Sequence, residues 1–161
     1  MKKLGIAICT AVVFWFVMFS PWTAPHLNFW YTMMVAAGTL TGMSLMFAKD
    51  WKSIISFNTK DIILGIGSAT LLWGVFYFGD LISGLLFDFA RPQVDSVYAM
   101  RDGQSQVFLA LSLLLWIGPA EEIFWRGYVQ RTFEGTKLGR WGAFIVTTII
   151  YGFAHIWAFN F

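Results

Sequence analysis

The chain has 161 residues, 58% of them hydrophobic and only 12% charged, with a formal net charge of +2 and a mean hydropathy of +0.65. So few polar side chains cannot cover a water-soluble globule of this length, and the composition reads as an integral membrane protein. The small charge, with no basic run interleaved with aromatics, argues against nucleic acid as a partner, and the single cysteine, Cys9, excludes an intrachain disulfide and a cysteine-based zinc cluster.

The expected fold is all-α, a polytopic transmembrane helix bundle of about five spans. Apolar segments run from Leu4 to Ser20, Phe29 to Ala48, Ile62 to Phe89, Val107 to about Phe133, and Trp141 to Phe161. Each is near or above the ~20 residues that cross a bilayer. Gly79, Gly84 and Asp88 weaken the outer half of the third, so that segment either tilts or ends near Asp80 and continues as an interfacial piece. The first segment resembles a signal peptide in its Lys2-Lys3 start. Phe19-Ser20-Pro21-Trp22 offers no small-residue cleavage site, so a retained signal-anchor is expected.

Lys2, Lys3, Lys49, Lys52, Lys60, Arg131, Lys137 and Arg140 fall on one side of this topology, against Arg91 and Arg101 on the other. The positive-inside rule then places the N-terminus in the cytoplasm and the chain's end on the outer side. Nothing resembling a linker or repeat interrupts the sequence. One membrane domain is expected, with 1–106 supplying N-terminal helices and 107–161 the polar motifs. Trp22, Trp30, Trp51, Trp141 and Trp157 fall near span ends, where indole rings favour the headgroup level, and Gly38 and Gly42 form a G-x-x-x-G that permits close helix contact.

The fourth segment carries Glu121 and Glu122 side by side, followed by Arg126. A carboxylate in hydrocarbon costs on the order of 3 kcal/mol even on lenient insertion scales, so two in a row need a reason. On an α-helix Glu122 and Arg126 share a face and can neutralise each other, while Glu121, on the face of Gly118 and Trp125, points about 100° away and has no such partner. His26 is expected in an outer loop, but His155 lies inside the fifth segment. If the last two segments form a hairpin turning near Gly135 to Gly139, the glutamates and His155 lie at similar depths, roughly 23 to 27 Å of helix from the turn. A carboxylate that takes a proton from water beside an imidazole that orients the water or supports an oxyanion is a plausible hydrolytic centre. A conventional zinc protease site does not follow, because the chain has no His-Glu-x-x-His and the depth supplies only His155 and one or two glutamates.

The run Trp116-Ile-Gly-Pro-Ala-Glu121-Glu122-Ile-Phe-Trp-Arg126-Gly-Tyr-Val-Gln130-Arg resembles the first motif of the CPBP, or Abi, family of intramembrane proteases, which includes the CAAX-prenyl endopeptidases and bacterial proteins of bacteriocin processing and self-immunity. The family's second motif, Phe-x-x-x-His on the next helix, has its counterpart in Tyr151-x-x-x-His155. The resemblance covers roughly Val107 to Phe161. It implies Glu121 as the water-activating base, Glu122 as a supporting acid paired with Arg126, and His155 holding the water or a metal. Zinc, with His155 and Glu121 as ligands, is the cofactor the resemblance allows. The implied reaction is hydrolysis of a peptide bond in a membrane-associated substrate, on the cytoplasmic side, where the expected orientation places both motifs.

The family's later histidine, followed four residues on by Asn or Asp, has no counterpart here, and Asn160 lies too close to His155 to replace it. Three explanations stand: a truncated chain, a second polypeptide or copy that supplies the missing helix, or a non-catalytic relative. The chain alone is expected to show little proteolysis, because its water would lack oxyanion partners. Two other classes remain open. One is a membrane immunity or scaffold protein that keeps the polar cluster for packing, and the other is a transporter fragment with the acids as an ion path that Asp80 would extend. A bacterial inner membrane suits the compact layout.

Overall fold

The structure is a computed structural model that describes residues 1–55, 58–99, 101 and 103–156. Helix accounts for 83% of it, with no strand among the described residues. Six helices carry the fold: α1 (Lys2–Phe19), α2 (Phe29–Phe47), α3 (Thr59–Leu86), α4 (Ala90–Ala99), α5 (Gln106–Glu134) and α6 (Gly139–Ala154). They form two compact units, Met1–Ile55 with Ser105–Phe161, and Ser56–Gln104.

Among the described residues, α1, α3 and α5 are long and apolar enough to cross a membrane. Of the about five expected spans, these three qualify on length and composition among the described residues. Threonines, Ser44, Trp30 and Tyr31 dilute the 19-residue α2, and α6 is described for 16 residues, with 157–161, including Trp157 and Asn160, outside the described residues. The helical membrane class stands.

Local sequence sets the helix ends. Asn28 accepts the Tyr31 N–H at the start of α2 (3.1 Å), and Ser105 accepts that of Phe108 at the start of α5 (3.1 Å). A reciprocal capping box opens α3: Asn58 accepts the Lys60 N–H while Asp61 accepts the Asn58 N–H (3.0 Å). These bonds satisfy donors that a helix start otherwise leaves unpaired. After α1, Ser20 accepts the N–H of Trp22, and Pro21 prevents continuation.

In the first unit, α1 is packed into the core. Leu4, Ala7, Ala11, Trp15 and Met18 recur at spacings of three and four and are all buried. They pack with Ala36 and Leu40 of α2, Phe124, Trp125, Tyr128 and Val129 of α5, and Ala154 of α6. Small residues at Ala7, Ala11 and Ala36 allow backbones to approach, the usual means of joining helices where hydrocarbon surrounds them. Of the G-x-x-x-G pair only Gly38 makes a close approach. A Cβ there would lie 3.3 Å from the Trp116 ring, whose Nε1–H donates to the Met34 carbonyl (3.0 Å), whereas Gly42 faces open space.

In the second unit, α3 runs unbroken through Gly79 and Gly84, so of the two expected alternatives the end near Asp80 does not occur. Two glycines cost a helix only about 1 kcal/mol each. Gly84 instead makes room for Arg91, since a Cβ would come within 2.7 Å of the guanidinium Nε, and Arg91 pairs with Asp80 (3.4 Å). α4 occupies what hydropathy alone reads as a loop. No residue of α3 is buried, and a helix apolar on all sides is suited to lipid rather than water.

Candidate active site

α5 is not a uniform α-helix. It widens to i→i+5 geometry over Leu113–Ile117 and again over Glu122–Gln130. The first widening immediately precedes Gly118-Pro119. Proline has no N–H to give and its ring clashes with the carbonyl four residues back, so a wider turn accommodates it inside the helix. The Gly118 N–H bonds back to the Leu113 carbonyl, and a Cβ on Gly118 would lie 2.8 Å from that oxygen. Glycine thus fits this turn where a larger residue does not.

The second widening carries the acids. Glu122 and Arg126 form the expected ion pair, with the Arg126 Nη1 donating to Glu122 Oε1. Arg126 is also a charged neighbour of Glu121, but its ion pair is with Glu122. Gly127, directly after the arginine, lets α5 pack on Ile54, whose Cγ2 would collide with any Cβ there.

Glu121, Glu122 and Arg126 line a cavity of about 250 Å³ between α5 and α6. Tyr151, Thr147 and Trp125 line it with them, and Tyr151 lies in the field of all three charged groups. Two polar atoms of this lining, Thr147 Oγ1 and Trp125 Nε1, are buried with no partner among the described residues. Sequence reasoning took Tyr151 as a bare aromatic replacement and passed over Thr147. The signal was present, because Thr147, Tyr151 and His155 follow one another at i, i+4 and i+8 on one face of α6.

The hairpin forms where expected, with Gly139 at φ 63° in the turn between α5 and α6. Its consequence for His155 is different. This residue caps the C-terminal end of α6 instead of sitting within a longer helix, and it is not part of the cavity lining. Its Nδ1 is 2.8 Å from the Tyr151 carbonyl, its ring lies against Tyr151 (centroids 4.2 Å apart) and edge-on to Trp15 (5.0 Å), and Trp15 in turn meets Trp125 edge-on. His155 therefore stands one helical turn beyond the acids' cavity, with Tyr151 between.

Zinc does not fit this arrangement. Among the described residues no three of His, Cys, Asp or Glu come together as a metal-holding group, whereas a catalytic zinc takes three protein ligands. The pair His155 and Glu121 falls short by number and by placement.

Comparison with curated proteins and with solved structures returned no match. A family model does match: residues 103–161 correspond to the Rce1-like family, described as type II CAAX prenyl endopeptidase Rce1-like. The matched stretch contains the whole of α5 and α6, hence both polar motifs and every residue of the acid cavity. Residues 103–161 of this helical membrane protein are thus similar to part of the Rce1-like, CAAX-protease family.

Proposed function

We propose that this chain carries the acid-bearing part of an intramembrane endopeptidase that hydrolyses a peptide bond of a membrane-associated, CAAX-like substrate. The observation that carries the reading is the unequal placement of the two acids. Glu122 is bound to Arg126, while Glu121 opens with it onto a partly enclosed cavity walled by the two helices of the Rce1-like segment.

In this reading Glu121 takes a proton from a water, the water oxygen adds to the scissile carbonyl carbon, and the proton passes to the leaving amine as the C–N bond breaks. Arg126 offsets the charge that develops on the carbonyl oxygen, and the Tyr151 hydroxyl supplies a further donor. Glu122 holds Arg126 in place. His155 positions Tyr151 through the contact of their rings. The chemistry takes place toward the cytoplasmic side, in a bacterial inner membrane.

The test is hydrolysis of a farnesylated CAAX peptide by the chain in proteoliposomes, alone and with a co-reconstituted apolar segment bearing His-x-x-x-Asn. Glu121→Gln should abolish turnover while leaving the folded yield unchanged. Turnover that persists in Glu121→Gln rules this reading out.

A second reading has its own observation. Glu122 is neutralised by Arg126 and His155 is bonded to the Tyr151 carbonyl, so much of the cluster is satisfied without substrate. A non-catalytic immunity or scaffold protein would need no more. Under that reading every substitution that impairs function also lowers folded yield.

A further inference from the structure

A second cavity in the first unit is separate from the acid site. It measures about 730 Å³ and lies where the start of α1, the end of α2 and the end of α5 meet, all of them helix ends. Its rim carries Lys2, Lys3, Lys49 and Arg131, against a single acid, Asp50. Its floor is apolar or aromatic: Leu4 and Tyr128 are buried there, and Phe47 and Ile54 are half-buried. The Lys3 Nζ is held 5.4 Å from the centre of the Phe47 ring, which fixes one cation at the boundary between rim and floor.

We infer that this cavity binds the phosphate headgroup of an anionic phospholipid, with the first part of the acyl region on the apolar floor. Three features argue together for a lipid over a soluble anion. The cationic rim matches a phosphate diester, the adjoining floor matches hydrocarbon, and helix ends are the level at which headgroups lie. Positive residues beside a span end also direct insertion, but topology requires only their side of the membrane, not a shared cavity with an apolar floor. The inference is independent of the peptidase reading, because no residue of the rim or floor lines the acid cavity.

The experiment uses the full chain reconstituted in vesicles of phosphatidylcholine with a minority of phosphatidylglycerol, then extracted for native mass spectrometry of the lipid that stays bound. Wild type should retain phosphatidylglycerol in preference to phosphatidylcholine. At roughly fivefold in affinity per basic group, the triple variant Lys2→Gln, Lys3→Gln, Lys49→Gln should lower that retention by about a hundredfold. Because the same lysines influence orientation, two further variants accompany it. The triple Lys→Arg chain keeps the charge and should retain the lipid, and Ala48→Phe fills the cavity without changing charge and should lose it. Equal retention of both lipids, or phosphatidylglycerol retention unchanged by Ala48→Phe, would overturn the inference. Displacement of the lipid by millimolar inorganic phosphate would assign the site to a free anion, and displacement by a soluble peptide with a free C-terminal carboxylate would assign it to a polypeptide; either overturns the lipid assignment.

Discussion

Gly118→Ala tests the irregular geometry of α5 where two effects of opposite sign compete. Inside a helix alanine is favoured over glycine by about 1 kcal/mol. Here the new Cβ would lie 2.8 Å from the Leu113 carbonyl oxygen, a backbone atom that cannot swing aside as a side-chain tip would. Overpacking of this kind costs about 1–3 kcal/mol, so the net expectation is a loss of roughly 1 kcal/mol despite the better helix former. Relief requires the wide turn to close, and closing it shifts the register of the following residues by about 100°. Glu121 would then turn away from the cavity. Pro119→Ala restores an N–H and removes the reason for the wide turn, so the double variant should recover stability without recovering the acid's position. Urea unfolding in detergent micelles, followed by tryptophan fluorescence, reads the stability. A Gly118→Ala chain as stable as wild type, or more stable, would refute the argument that the wide turn requires glycine.

Three further outcomes follow from the packing. Arg126→Ala leaves Glu122 without its ion-pair partner and should lower the yield of inserted, folded chain, with the Glu122→Gln, Arg126→Ala double variant recovering most of it; fluorescence-detected size exclusion reads both. Trp15→Ala removes a ring that is 1% exposed and touches both Trp125 and His155, and should destabilise by about 2–3 kcal/mol. That sits at or below the usual ~3–5 kcal/mol for such a truncation, because hydrocarbon surroundings reduce the transfer contribution. Asn58→Ala deletes half of the α3 capping box, costs about 1 kcal/mol, and should show as faster amide exchange confined to the first turn of α3.

The membrane class, the hairpin turn near Gly135 to Gly139 and the Glu122–Arg126 pair were legible in the sequence, because each rests on composition or on spacing along a regular helix. The wide turns of α5 were not: Gly118-Pro119 inside an apolar run invites a turn that departs from 3.6 residues but does not specify one. His155 was expected at the depth of the acids, but counting residues from the turn carries no information about azimuth or about where a helix ends. Its i, i+4 relation to Tyr151 shows which residue stands between it and the acids. Within the first segment, Leu4, Ala7, Ala11, Trp15 and Met18 already form a one-sided stripe, the mark of a packed helix. α4 escaped notice because a short helix of low hydropathy has no signal distinct from a loop.

The central claim is that the two adjacent glutamates have different tasks, one chemical and one structural. Its most direct test is the pair Glu121→Gln and Glu122→Gln, each measured for farnesylated-peptide hydrolysis in proteoliposomes, with the co-reconstituted histidine-bearing segment present, and for unfolding midpoint. The account predicts that Glu121→Gln loses at least about a hundredfold in hydrolysis with an unchanged midpoint, whereas Glu122→Gln lowers the midpoint by freeing Arg126. Equal effects of the two substitutions on both readouts, or no hydrolysis even by wild type with that segment present, would contradict it.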